Sequence, residues 1–246
     1  MIEAGSLIRA LSGRPVARNF HTFVINEIGH GIVTGLFPVG SILASDAEMM
    51  EKYGVSRTVL REALKTLESK GMIEARPKVG TRVSPASRWS FFDPQVLSWH
   101  FYKKPDARFY ESLFAVRRAL EVQAVLLACE RRTAEHVRSM KYWLHQMEMS
   151  DGALEPHGLS SLEIHRAIAD SSGNALLRSV TGVVELTTAL ALKPQIDKPR
   201  TDYSATSLAA HGRLVAAIER ANVGEAQDAV GAIIALDETW VGKLLG

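Results

Sequence analysis

Two arginines one helical turn apart, Arg57 and Arg61, follow directly on Ser56 in the stretch GVSRTVLREALKTLESKG, residues 54–71. Positions four apart project along one side of a helix. An arginine can bridge O6 and N7 of a guanine, which lysine does less well. Ser56 and Thr58 are short enough to reach a phosphate or a base edge. A helix that enters a major groove amino end first also turns its free amides and positive dipole end toward phosphate. A second set lies far along the chain: Arg117 in LFAVRRAL, His165 beside Ile164 and Ile168, and His211 in SLAAHGRLVAAI. Each of these, taken singly, reads as a satisfied polar residue of a helix. A guanidinium among apolar neighbours is also suited to hold a carboxylate in two parallel hydrogen bonds.

The elements that must position the first set are legible around it. Phe20, Phe23, Val24, Ile28 and Ile32 stand at helical spacing, and GLFPVGSIL then breaks the pattern. Ser45 with Glu48 three residues on is a capping box, and the helix it opens ends at Gly54. Ser56 caps the next helix, whose apolar stripe is Leu60, Ala63, Leu64 and Leu67, and Gly71 stops it. MIEARPKVGTRVS predicts a hairpin with Lys78 and Gly80 near its tip. Helix, helix, turn, helix and basic hairpin is the order of a winged helix-turn-helix, in which the hairpin would set Lys78 and Gly80 against the DNA backbone or minor groove. An isolated arginine-bearing helix is usually a solvated surface helix. Here the caps, the short turn and the hairpin stand in order.

Residues 19–84 resemble the DNA-binding domain of the GntR family. The resemblance rests on GLFPVGSILASDAEMMEKYGVSRTVLREALKTLESKGMIEARPKVGTRV. It implies DNA contacts by Ser56, Arg57, Thr58, Arg61 and the wing Gly80. The chain departs from the pattern at Ala44 in place of proline, Asp46 in place of the usual glutamate, and Ala47 where an arginine is frequent. One contact fewer is expected from that helix.

Residues 1–18 form an N-terminal arm. Residues 85–105 form an aromatic-rich linker, PASRWSFFDPQVLSWHFYKKP, whose rings argue for a docked segment packing domain against domain rather than a free tether. The linker resembles that of the FadR-type branch of the family, which responds to sugar acids. From residue 106 to 246 the chain reads as helix after helix, with spans at 107–132, 134–149, 158–172, 175–193, 203–221 and 224–244. The longest loop is KPQIDKPRTDYS. The fold class is therefore mainly α: a winged helix-turn-helix followed by an all-α antiparallel bundle. The second part resembles the FCD ligand-binding domain, a bundle with a central polar cavity.

That resemblance places Arg117, His165 and His211 on the cavity. It also implies a divalent metal such as zinc or nickel, held by an Asp, two His at these positions and a further His. Here the Asp position is Ser161 and the last His position is Ile233. Only His165 and His211 remain as metal ligands, and two neutral imidazoles rarely hold zinc tightly. In the metal-free alternative, Ser161, His165 and His211 hydrogen-bond the effector directly and Arg117 pairs with its carboxylate.

Composition agrees with this division. Residues 1–88 carry 12 Lys/Arg and 8 Asp/Glu, a net of +4, and the remainder carries 17 and 19, a net of −2. A basic head on a mildly acidic body suits a polyanion partner. The single cysteine, Cys129 in AVLLACERR, reads as a buried structural thiol. No apolar run approaches a membrane span, so a cytoplasmic protein is expected.

The expected function is a ligand-responsive transcription regulator. It would be a homodimeric repressor on a near-palindromic double-stranded operator, released by a small organic acid such as an aldonate. The alternatives are a relative sensing a different carboxylate and a metal-dependent enzyme using His165 and His211. Against an enzyme, there is no nucleophile elbow, phosphate loop or HExxH motif.

Overall fold

The computed structural model describes residues 5–11, 20–102, 106–196 and 201–245. It divides into two compact units, a head within residues 15–104 and a body built from residues 106 onward. The body also includes the start of the chain: α1, Ser6–Ala10, belongs to it. The rest of the expected arm, residues 1–4 and 12–18, lies outside the described residues, as do residues 103–105 of the expected linker.

The head contains α2 (Phe20–Val33), α3 (Asp46–Tyr53), α4 (Arg57–Ser69), β1 (Ile73–Arg76), β2 (Gly80–Val83) and α5 (Pro94–Phe101). Local chemistry sets most of the boundaries. Ser45 accepts from Glu48 N while the Glu48 carboxylate accepts from Ser45 N at 2.8 Å, closing the capping box. Gly54 ends α3 at φ 63. Leu60, Ala63 and Leu67 of α4 are fully buried against Val24, Ile28 and Ile32 of α2, as their spacing requires. β1 and β2 are antiparallel, with Ile73 opposite Val83 and Arg76 opposite Gly80.

The segment expected as a linker is built into the head. Trp99 and Val96 of α5 belong to its core. Trp99 Nε1 donates to Asn26 Oδ1 at 3.0 Å, and Gln95 Nε2 donates to the same atom at 3.1 Å. Asp93 caps α5 with one carboxylate oxygen and takes Lys70 Nζ at 2.6 Å with the other. Periodicity alone did not mark α5 as an element, because a helix of eight residues shows barely two turns.

The body consists of α6 (Ala107–Arg131), α7 (Ala134–Met149), α8 (Leu154–Ser171), α9 (Ala175–Ser179), α10 (Gly182–Leu192), α11 (Thr201–Glu219) and α12 (Val223–Gly242). α7 lies along α8, α11 along α12, and α12 also against α6 and α10. Every residue of α10 from Val183 to Leu192 is buried, so this is the central helix. Two expectations are corrected. α8 begins at Leu154, not 158, because Pro156 sits in its first turn, where a missing amide costs nothing. The expected helix 175–193 is two helices, broken at Val180 and Thr181 before Gly182.

The docking of α5 can be tested at Gly29, where a Cβ would lie 2.4 Å from the Trp99 ring. Gly29→Ala should destabilise the protein by about 1–3 kcal/mol, even though alanine raises helix propensity by up to about 1 kcal/mol. Urea unfolding followed by tryptophan fluorescence reads this out. A stabilised variant would contradict the packing of Trp99 on α2.

Candidate functional site

The head exposes its candidate residues on two elements, α4 and the hairpin. Ser56 caps α4, its Oγ accepting from Val59 N at 3.4 Å, and Arg57, Thr58 and Arg61 are exposed along the first turns. Lys78, at φ 63, and Gly80, at φ 110, form the exposed tip of the hairpin. The left-handed backbone at Lys78 and Gly80 makes the turn that separates β1 from β2. Sequence reading missed Arg82, which is exposed on β2 and donates to Gly40 O at 3.0 Å. It adds a cation to the basic hairpin. The head can therefore offer a helix amino end carrying arginines and a basic wing.

The body gathers Arg117, Ser161, His165 and His211 in its interior. All four are buried, Arg117 completely. The structure differs from the expected open polar cavity in what these groups already hold. Arg117 Nε donates to Glu121 Oε2 at 2.7 Å and Nη1 to Asp237 Oδ2 at 2.6 Å. Its Nη2 has no hydrogen-bond partner among the described residues. Glu121 also meets His165 Nδ1, and Asp237 accepts from Tyr203 Oη at 2.6 Å. A line of buried groups thus runs from His165 through Glu121, Arg117 and Asp237 to Tyr203, joining α8, α6, α12 and α11. The charges settle accordingly. Burial pushes the Glu121 carboxyl up, but His165 and Arg117 outweigh it and hold it down at about 2. Burial, with the Asp237 charge, raises the Tyr203 phenol well above its usual value.

A second line is neutral. His211 Nδ1 lies 2.8 Å from Ser207 O, a group that only accepts, so Nδ1 carries the proton. Nε2 then accepts from the Ser161 hydroxyl at 3.0 Å. Burial, with His165 nearby, holds His211 well below its usual value. His157, 3.1 Å from Ser207 Oγ, is lowered to about 4 by burial. Sequence reading missed Glu121, Asp237, Tyr203 and His157. Glu121 could have been found, since it lies four residues after Arg117 on one helix face. Asp237 joins Arg117 across 120 residues of sequence, and no spacing announces that.

This donor set does not fit a divalent metal. The His211 lone pair is taken by a serine hydroxyl, Ile233 is buried and offers no donor, and the nearest carboxylates are committed to Arg117. Among the described residues no three His, Cys, Asp or Glu side chains are grouped to hold an ion. Open space remains beside Arg117, Glu121 and His165, walled by Ile168, Val183 and Val184. It amounts to about 20 Å³, enough for one water molecule and too little for an organic acid.

A winged helix-turn-helix head joined to an all-helical body is the architecture of a DNA-binding regulator. The comparisons agree. Residues 112–236 match the FCD domain and residues 21–83 match the bacterial regulatory proteins of the gntR family. The chain belongs to the GntR family of transcription regulators, with an FCD domain. Over 130 residues it is 36% identical to the uncharacterized HTH-type regulator YieP of Escherichia coli, covering 53% of this chain and 56% of that one. It is 27% identical to the E. coli galactonate operon transcriptional repressor over 158 residues, 64% of this chain and 69% of that one. With the repressor NanR of an Enterobacter species it shares 29% identity, covering 94% and 90%. Two solved structures share the fold. E. coli McbR/YncC has a TM-score of 0.57 and 17% identity over 94% of this chain and all of that one. The Listeria monocytogenes regulator Lar has a TM-score of 0.67 and 13% identity over 93% and 99%. These relatives are regulators, and the protein is not an enzyme. No helix among the described residues is long and apolar enough to cross a membrane.

The neutral histidines give a pH signature. His157 is lowered to about 4 when folded and returns to about 6.5 when unfolded, so the unfolded state binds the extra proton between those values. Stability is unaffected above about pH 6.5 and falls as the pH drops toward 4, by up to about 3 kcal/mol for this group. Thermal unfolding of wild type should show that fall, and His157→Asn should flatten it. An equal slope in both proteins would contradict the buried neutral state of His157.

Proposed function

We propose that the protein is a homodimeric repressor that leaves a near-palindromic operator when a small organic acid enters the body. The observation that carries the DNA part is the exposed amino end of α4, which bears Ser56, Arg57, Thr58 and Arg61, together with the exposed wing residues Lys78 and Gly80. Two such heads would read half-sites one helical turn apart, which requires the dimer. Repression is supported by the galactonate and NanR relatives, which are named as repressors.

For the effector, support comes from Arg117. Its two partners are carboxylates of the protein itself. An incoming carboxylate can take the place of one of them, and the displaced group keeps a second partner, His165 for Glu121 or Tyr203 for Asp237, so that neither the guanidinium nor the displaced carboxylate is left bare. Ser161 and His211 would exchange their mutual hydrogen bond, and His165 its contact with Glu121, to bind the remaining polar groups. A sugar acid leads, supported by the galactonate relative. A different carboxylate is the alternative, supported by the apolar part of the wall, Ile168, Val183 and Val184.

Operator binding should weaken about tenfold or more for Arg57→Ala and for Arg61→Ala, measured by mobility shift on the protein's own promoter. Unchanged affinity in both would remove α4 from the groove. A thermal-shift screen should include galactonate, gluconate and apolar acids of matched size, against wild type and Arg117→Gln. At least one acid should raise the wild-type melting temperature and leave the variant unmoved. A response that survives in Arg117→Gln would remove the guanidinium from the effector site. Which acid responds decides between a sugar acid and an apolar one.

A further inference from the structure

The start of the chain is seated in the body. α1 packs on α8 and α10, with Ile8 fully buried and Leu7 nearly so. The seat is shaped for it. Gly158 of α8 carries no side chain at a point where a Cβ would lie 2.9 Å from Ile8 Cγ2 and 2.6 Å from Leu192 Cδ1. The amide of Leu7 donates to Glu185 Oε1 of α10 at 2.9 Å. Glu185 is itself buried. Without this amide it would be a buried acid short of a hydrogen-bond donor, which is costly. Arm and seat complete each other.

The same two helices wall the space beside His165, through Ile168 of α8 and Val183 and Val184 of α10. That space is about 20 Å³ and is closed on its other sides by α6 and α9, so an organic acid can enter only if its walls move, and α8 and α10 are the two walls that also hold the arm. Glu185, which holds the arm, follows Val184 directly. The arm lies across this helix pair, and residues 12–19 join it to α2 of the head.

We infer that residues 5–11 are a strap that reports the state of the body to the head. The strap is seated while α8 and α10 are closed and is released when an effector parts them. This rests on the repressor reading above, in which the closed, effector-free body is the operator-binding state. The strap's docking and operator binding then share one coupling free energy, and each must favour the other by the same factor.

Hydrogen exchange on the full-length protein, with and without a duplex carrying its own promoter, tests this without a known effector. Amides of residues 7–11 should exchange more slowly in the complex. Ile8→Asp, which unseats the strap, should weaken operator binding about fivefold or more. Glu185→Gln, which keeps the shape and one acceptor, should weaken it less and in the same direction. Unchanged exchange in α12 confirms that the body of each variant is folded. Strap amides that exchange equally fast or faster on DNA, or operator affinities of both variants within about twofold of wild type, would overturn the strap while leaving the repressor reading intact. Failure of wild type to bind the duplex would overturn both.

Discussion

Arg117 is a full positive charge with no access to solvent, and the body is arranged around the two carboxylates that make this tolerable. Glu121 comes from the same helix and Asp237 from α12, so the guanidinium fastens α12 to α6. Each carboxylate then anchors a further helix, α8 through His165 and α11 through Tyr203. Removing Arg117 strands two buried carboxylates, and breaking a buried ion pair in this way typically costs about 3–5 kcal/mol. The same dependence makes the cluster responsive. A group that must always have an anionic partner, but has no need of a particular one, accepts an exchange of partners. A ligand acts only through its differential affinity for two states, and in the proposed function the exchange of Asp237 or Glu121 for a bound carboxylate would supply that difference.

The head depends on a different constraint, the packing of α5 on α2. Trp99 fills the space left by Gly29, and its indole shares the Asn26 oxygen with Gln95. The segment after the wing is therefore part of the head's core. α5 is joined through α2 to α4, whose apolar stripe packs on the same helix. The wing is tied into the same unit, since Arg88 and Arg76 both pair with Glu74 and Trp89 Nε1 donates to Ser84 O at 3.0 Å.

Much of this was legible in the sequence where the cause is local. The capping box of Ser45 and Glu48, the cap at Ser56, the stop at Gly71 and the apolar stripe of α4 all act within a few residues, and each stands where the spacing put it. The helices of the body were legible from period alone, except where a local rule bends. Pro156 reads as a breaker but is tolerated in a first turn, and the break at Val180 carries no glycine or proline before Gly182. The site was half legible. Its histidines and arginine stood out as polar residues in apolar helices, and Glu121 lay one turn from Arg117. Their long-range partners did not stand out. Asp237, Tyr203 and the Ile8–Gly158 contact exist only because the chain folds back on itself, and a single sequence records no such pairings.

The most direct measurement is a crystal structure of the protein saturated with an acid that stabilises it. The account predicts the acid's carboxylate on the Arg117 guanidinium, one of Glu121 and Asp237 turned away, and the space between α8 and α10 widened. An acid bound elsewhere, with Arg117 still held by both carboxylates and that space still closed, would contradict it.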